Sequence, residues 1–346
     1  MKIVSCEHFF KLKYYKMKLS LRLLLLLPFI FIMTGCPSDD SFEVVVRPYS
    51  EVYNEDIVKI ETFLDTHFYT EDANYNVTFT KITSTTPGTP ISDELDTSVN
   101  QDVASKKLKC KIVSAGGVDH KLYFLKLNEG SGGNTGEMQP TRLDSILPAY
   151  KGYRLADLSV FETKNNADTW FELPSLIQAW QQVFPEFKAG DDNAANPDGT
   201  PNFTNFGAGV MFVPSGLAYF NQINEGIPAY TALIFSFKLM KVRFKDHDGD
   251  KILSKDEYGG PTTGTALDTD GDGKPDYGDY DDDNDGKVTF EEIRRAPGVS
   301  DWYPFNGAAL DDPATLLIDE RQGIPSCSGD YTTPNRLRRH LDPSCK

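Results

Sequence analysis

Apolar and polar positions alternate along this chain with periods that change from segment to segment. In NEDIVKIETFLDTHF (54–68), Ile57, Ile60, Phe63 and Leu64 recur at helical spacing and predict an amphipathic helix. YNVTFTKI (75–82) and KLKCKIV (107–113) alternate and predict strands, with a Thr/Pro/Gly/Ser/Asp-rich loop over 83–105 between them. KLYFLKLNEGSGG (121–133) reads as a strand running into a glycine-rich turn, and SILPAYKGYRL and SVFETK read as two more strands. LPSLIQAWQQVFPEF places Leu176, Ile177, Trp180, Val183 and Phe184 on one face of a short helix, with Pro174 near its start and Pro185 at its end. A polar loop at 190–206 precedes GAGVMFVPSGLAYF, and ALIFSFKLMKVRF is a long alternating strand.

Many strands around one helix predict an α+β fold, a curled antiparallel sheet over one short helix. A small α/β extension precedes it, and loops rich in carboxylates follow. The expected boundaries are a targeting segment at 1–36, a linker at 37–50, the extension at 51–117, the sheet-and-helix domain at 118–244, acidic repeats at 245–296 and a polar tail at 297–346.

The chain of 346 residues is 39% hydrophobic and 12% aromatic, ample for a packed core. Its formal net charge of −16 repels phosphate backbones, so no nucleic acid is expected as a partner. KMKLSLRLLLLLPFIFIMTGC (16–36) has a basic flank, a short apolar run and small residues before Cys36. It resembles a bacterial lipoprotein signal, with Met33 where an aliphatic residue is usual and Met17 as an alternative start. The resemblance implies lipidation of Cys36 and a bacterial envelope location, on the periplasmic or the surface side. PSDD after Cys36 is either a surface-export tag or a solvated linker. In an oxidising compartment, Cys327 and Cys345 are expected to form a bridge, and Cys110 is expected to face a core as a free thiol.

The order YKG, FET, LIQAW, VPSGLAYF, GIPAYTALIFSFKL resembles FKBP-type peptidyl-prolyl cis-trans isomerases over about 118–244. That resemblance implies a pocket for a proline ring with Trp180 as its floor. Tyr150, Phe161, Ile177, Tyr219, Ile227 and Phe235 are implied as walls and Leu176 as rim. The Ile177 N–H and the Tyr219 hydroxyl are implied as donors to substrate carbonyls. Glu162 stands where the family usually has Asp, and Phe220 where it usually has Gly. Trp170 and Phe171 remain alternatives for the last wall. The implied partners are proline-containing polypeptides, and the chemistry needs no cofactor, because twisting an amide requires neither nucleophile nor metal. The other functions open to such a chain are a non-catalytic proline-binding or chaperone module and a calcium-binding structural lipoprotein. No G-x-S-x-G and no clustered histidines point to a hydrolase.

The acidic repeats have the spacing of calcium loops. DDDNDGKVTFEE gives Asp281, Asp283, Asp285 and Glu292, with Gly286 at the turn and Val288 for a core. DHDGDKILSKDE gives Asp246, Asp248, Asp250 and Glu257, with Lys251 in the glycine position. DTDGDGKPDYGD gives Asp268, Asp270, Asp272, Asp276 and Asp279 and resembles thrombospondin type 3 repeats. Structural Ca²⁺ is the expected ion. The basic RLRRH near the end is expected to meet either lipid headgroups or these repeats.

Overall fold

A computed structural model describes residues 45–98, 101–102, 105–258, 265–305, 323–331, 333 and 336–345. The signal segment, Cys36, most of the expected linker and residues 306–322 lie outside the described residues. Among the described residues, no helix is long and apolar enough to cross a membrane. The architecture below is that of Val46–Lys346.

The first helix, α1 (Tyr49–Thr66), starts inside the expected linker and buries Val52, Asp56, Ile60, Phe63 and Leu64 on one face. It runs directly into β1 (His67–Glu71), which pairs with β2 (Val77–Lys81). Asp72 closes that hairpin by accepting from the N–H groups of Asn74 and Asn76 at 2.8 and 2.9 Å. Among its described residues the loop expected over 83–105 holds one 3₁₀ turn, Ile91–Glu94.

The main sheet is antiparallel and seven-stranded. It comprises β3 (Leu108–Ala115), β4 (Val118–Asn128), β5 (Ser145–Arg154), β6 (Val160–Lys164), β7 (Phe171–Glu172), β10 (Gly207–Val213) and β11 (Leu233–Arg243). The order is β3-β4-β10-β11-β5-β6, with β7 also on β5. β3, assigned by its position to the extension, pairs along its length with β4 and forms the sheet's edge. Pro148 in β5 sits where the register to β11 shifts, which accommodates a residue that cannot donate to the ladder. The expected loop at 190–206 carries a hairpin of β8 (Asp191–Asn193) and β9 (Asn202–Thr204).

Alternation along the strands feeds two cores. Leu122, Phe124, Met211, Val213, Phe235 and Phe237 point to one face, and Tyr123, Leu125, Val210, Phe212 and Ile234 to the other. The first face is covered by α2 (Gln178–Val183) through Trp180 and Val183. The second is covered by α1 and the β1–β2 hairpin through Ile60, Phe63, Leu64 and Val77. The sheet is therefore covered on both faces, and the amino-terminal extension forms the second layer. α2 is shorter than expected. Leu176 and Ile177 are extended, with Ile177 as N-cap at φ −58°, ψ 147°, and Phe184-Pro185 turns the chain into a 3₁₀ segment.

Among their described residues the acidic repeats form tight loops with little helix, α3 (Thr289–Glu292) and a turn at Asp276–Gly278. Ile252, Ile293 and Ile324 form their own small core with Trp302, Tyr303 and Phe305. Val288 is 43% exposed and does not enter it, because it is the extended residue capping α3, and Ile293 fills that role. Cys327 and Cys345 are bridged, and Cys110 is a half-buried free thiol whose pKa burial pushes up to about 11.

Candidate functional site

An aromatic cluster, the candidate basin, lies between α2, β5, β6 and β11. Trp180 is buried, and its ring meets Tyr150 edge-on at 4.9 Å and Phe235 at 5.4 Å. Phe161 stands perpendicular to Phe235 at 5.6 Å. Of the two wall candidates, Phe171 joins this cluster, packing against Trp180 at 6.3 Å and Tyr150 at 6.1 Å, whereas Trp170 stands under the Arg243 guanidinium at 4.2 Å. Tyr150, Trp180, Ile227 and Phe235 are buried, while Phe161, Leu176, Ile177 and Tyr219 are half-buried against the same core. The buried residues form the inside of this cluster and the half-buried ones its exposed margin.

Polar groups at this basin are few. The Trp180 indole N–H finds no acceptor among the described residues. Burial first, and the Glu162 carboxylate second, hold the Tyr150 and Tyr219 hydroxyls above the usual phenol range, so both remain proton donors at neutral pH. The Ile177 carbonyl accepts from Trp180 N–H at 3.0 Å, starting α2 and leaving the Ile177 N–H ahead of the first turn.

The loop carrying Tyr219 and Ile227 is clamped from outside by α1. Asp56 accepts from the Ser215 N–H at 2.8 Å and its hydroxyl at 2.6 Å. Phe220 takes φ +51°, a conformation glycine adopts readily, and its ring stacks on Tyr49 at 3.8 Å. The Arg47 N–H donates to the Tyr230 hydroxyl at 3.1 Å. Sequence periodicity carried no signal for this clamp, because it joins residues far apart in the chain. The 190–206 hairpin packs elsewhere, with Ser131 on Asp191 and Asn134 on Asp192. An open groove of about 640 Å³ lies on the other side of β5 and β11, lined by Asn76, Lys151, Lys164 and Lys238 among others.

The acidic runs share one turn geometry. Asp246 accepts from Gly249 and Lys251 N–H, Asp268 from Gly271 and Gly273, and Asp281 from Asp285 and Gly286, at 2.7–3.2 Å. The sixth residue has φ +87° at Lys251, +95° at Gly273 and +93° at Gly286, so Lys251 carries a conformation that favours glycine. Carboxylate oxygens gather within 4.8 Å of one another in four groups: Asp246/Asp248/Asp250, Asp250/Glu257/Asp282, Asp268/Asp270/Asp272 and Asp281/Asp283/Asp285. Ligands on opposite sides of a calcium ion stand about 4.6–5.2 Å apart, so the spacing fits that ion. Burial, then neighbouring carboxylates, push Asp250 up to about 8, Asp282 to about 9, Glu257 to about 10 and Glu292 to about 8. Asp276 is hydrogen-bonded to the Thr269 N–H and hydroxyl, and Asp279 accepts from the Asp281 N–H and Lys274, so neither joins these groups. Arg338 of the basic tail lies over Phe305 at 3.8 Å, and the tail meets the acidic module.

No curated protein matches the chain. A family model described as BamM C-terminal matches residues 244–316, the segment of the acidic runs. Similar solved structures include a peptidyl-prolyl cis-trans isomerase of Pseudomonas syringae pv. tomato, 20% identical with a TM-score of 0.28, covering 38% of this chain and 80% of that one. FkpA from Escherichia coli is 20% identical with a TM-score of 0.28, covering 38% of this chain and 51% of that one. The three FKBP domains of wheat FKBP73 are 15% identical with a TM-score of 0.29, covering 39% of this chain and 51% of that one. The chain thus spans about half the length of the latter two.

Proposed function

We propose that this chain is a peptidyl-prolyl cis-trans isomerase of the FKBP type, held at the bacterial envelope by a lipid on Cys36 and braced by calcium in its acidic runs. The observation that carries the reading is the basin itself: a buried Trp180 floor walled by Tyr150, Phe161, Phe171 and Phe235, with protonated phenol hydroxyls beside it. Rotation about an X–Pro bond crosses a barrier of about 18–20 kcal/mol, because it breaks amide resonance. A twisted amide is less polar than a planar one, so a water-poor aromatic wall favours the twisted form. The Ile177 N–H and Tyr219 hydroxyl supply donors that hold flanking carbonyls while the ring turns. Each residue's part is positioning and desolvation, with no covalent step. The match of 244–316 to the BamM C-terminal model supports an outer-membrane-associated location.

A second reading is a proline-segment binding module without turnover. Glu162 and Phe220, which depart from the family's pattern, favour it. A protease-coupled isomerisation assay on residues 37–346 separates the two. Isomerisation accelerated by the protein and lost in Phe161→Ala supports catalysis. A folded protein that binds proline peptides without accelerating them supports the binding module.

A further inference from the structure

We infer that Asp282, together with Asp250 and Glu257, holds a divalent cation that ties the first acidic run to the third. The inference rests on the calcium reading of the acidic runs and extends it to a residue outside their register.

Asp282 lies between Asp281 and Asp283, both of which serve the third run's own oxygen group. Asp282 sits in the turn that opens the third run, and its carboxylate leaves that run to join Asp250 and Glu257 of the first. Its backbone is fixed by the Asp282 N–H donating to the Thr289 hydroxyl at 3.2 Å. The three carboxylates are 2%, 3% and 1% exposed for Asp250, Glu257 and Asp282. Five of their oxygens have no donor: Asp250 Oδ2, both of Glu257 and both of Asp282. No ion pair reaches any of the three among the described residues; Lys255 nearby pairs with Asp256. Three converging carboxylates, with only Asp250 Oδ1 hydrogen-bonded, to the Ile252 N–H at 2.7 Å, leave buried charge unbalanced without a cation, which costs several kcal/mol per group. Oxygen-only donors with carboxylate charge select a hard cation, and calcium takes more such ligands and looser geometry than magnesium. Asp250 also belongs to the group with Asp246 and Asp248, so it can bridge two neighbouring cations.

The test uses the full chain in detergent, stripped by chelator and titrated calorimetrically with calcium chloride, beside Asp282→Asn and Asp285→Asn. Asp282→Asn is expected to weaken one binding event by about tenfold or more, since even outer-shell partners are worth that much. It is also expected to remove calcium-dependent amide protection over 246–257, which Asp285→Asn retains. Thermal melts add a sign that a purely structural role would not give. Without calcium, Asp282→Asn relieves carboxylate repulsion and raises the melting temperature; with calcium, it lowers it. Equal loss in both conditions, or wild-type calcium affinity in Asp282→Asn, overturns the cross-run site while leaving the calcium reading intact. A wild-type chain that binds no calcium overturns both.

Discussion

The Asp144 carboxylate accepts the Lys245 backbone N–H at 3.0 Å, fastening the chain leaving β11 to the start of β5. Its other oxygen accepts from the Thr141 N–H at 2.7 Å and hydroxyl at 2.8 Å. The Asp144 carbonyl accepts from Leu173 N–H at 3.0 Å, at the turn that leads to α2. The Lys245 carbonyl accepts from Ser254 N–H at 2.8 Å, inside the first acidic run. One fully buried residue thus connects the turn before the aromatic basin's helix with the first calcium-type loop.

Replacing Asp144 with alanine strands the Lys245 and Thr141 N–H groups in a dry site. Each unsatisfied group costs about 1–3 kcal/mol, so a total loss near 3 kcal/mol is expected from urea unfolding. If calcium orders the acidic runs as proposed, calcium is expected to slow amide exchange over 173–183 in the wild type and to have no such effect in Asp144→Ala. A loss under about 1 kcal/mol would show that water replaces the carboxylate, contrary to its full burial.

Tyr219→Phe removes one donor without opening a cavity. The ring is half-buried, and its hydroxyl feels burial and the Glu162 charge without a hydrogen bond among the described residues. Stability should therefore change by less than about 0.5 kcal/mol. The kcat/KM for a proline tetrapeptide should fall about tenfold, the equivalent of one hydrogen bond to substrate. Unchanged kcat/KM would remove Tyr219 from the site.

The strands and the apolar face of α2 were legible because they rest on local period, whereas the meeting of Trp180 with Phe235 was implied only by the resemblance that the LIQAW and IFSF segments carry. What escaped was long-range. Nothing in the alternation of KLKCKIV told that β3 would join the main sheet's edge, since an edge strand reads like any other. The clamp of Tyr49 on Phe220 and Asp56 on Ser215 pairs residues more than 150 positions apart for the latter, where only tertiary packing decides. Asp282 was hidden by its neighbours: inside a string of carboxylates, register assigned Asp281 and Asp283 and gave no reason to single out the residue between. Asp276 and Asp279 stand in register with the second run, yet their carboxylates accept from Thr269 and from the Asp281 N–H and lie outside the four oxygen groups, a local detail that spacing does not carry.

Phe220→Gly sets two effects against each other. Glycine would relieve about 1–2 kcal/mol of left-handed strain at φ +51°. The phenylalanine, 7% exposed, contributes about 1.5–3 kcal/mol by burial, and its stack on Tyr49 adds about 0.5–1.5 kcal/mol. Burial wins, so a net loss of about 1–2 kcal/mol is expected in urea. Amide exchange at the start of α1 should quicken, because Tyr49 loses its partner. A stabilised variant would mean that the strain outweighs the packing.

His120 sets the pH dependence of the α1 clamp. Its ring is fully buried between Tyr53, at 4.5 Å, and Tyr49, at 6.3 Å, with Nδ1 against the Val118 carbonyl at 2.8 Å. Its Nε2 has no partner among the described residues. Burial pulls its pKa below the usual imidazole value of 6.5, while the Val118 and Val113 carbonyls and the Asp56 and Asp119 charges oppose the shift in part. A lowered folded-state pKa means the neutral ring is favoured when folded. Its contribution is full above pH 6.5 and is lost as pH falls through the folded value. Asp56, raised by burial, acts with the opposite sign, its contribution present in acid and lost as pH rises. His67 and His340 share the direction of His120, and Asp144 and the buried carboxylates of the acidic runs share that of Asp56, so the wild-type curve sums many groups. His120→Gln isolates one of them: its stability should be lower than wild type at pH 7, and the gap should narrow toward pH 5. Urea midpoints at both pH values, with amide exchange along α1, measure it. Parallel curves for the two proteins would mean that the buried ring takes its proton without disturbing the clamp.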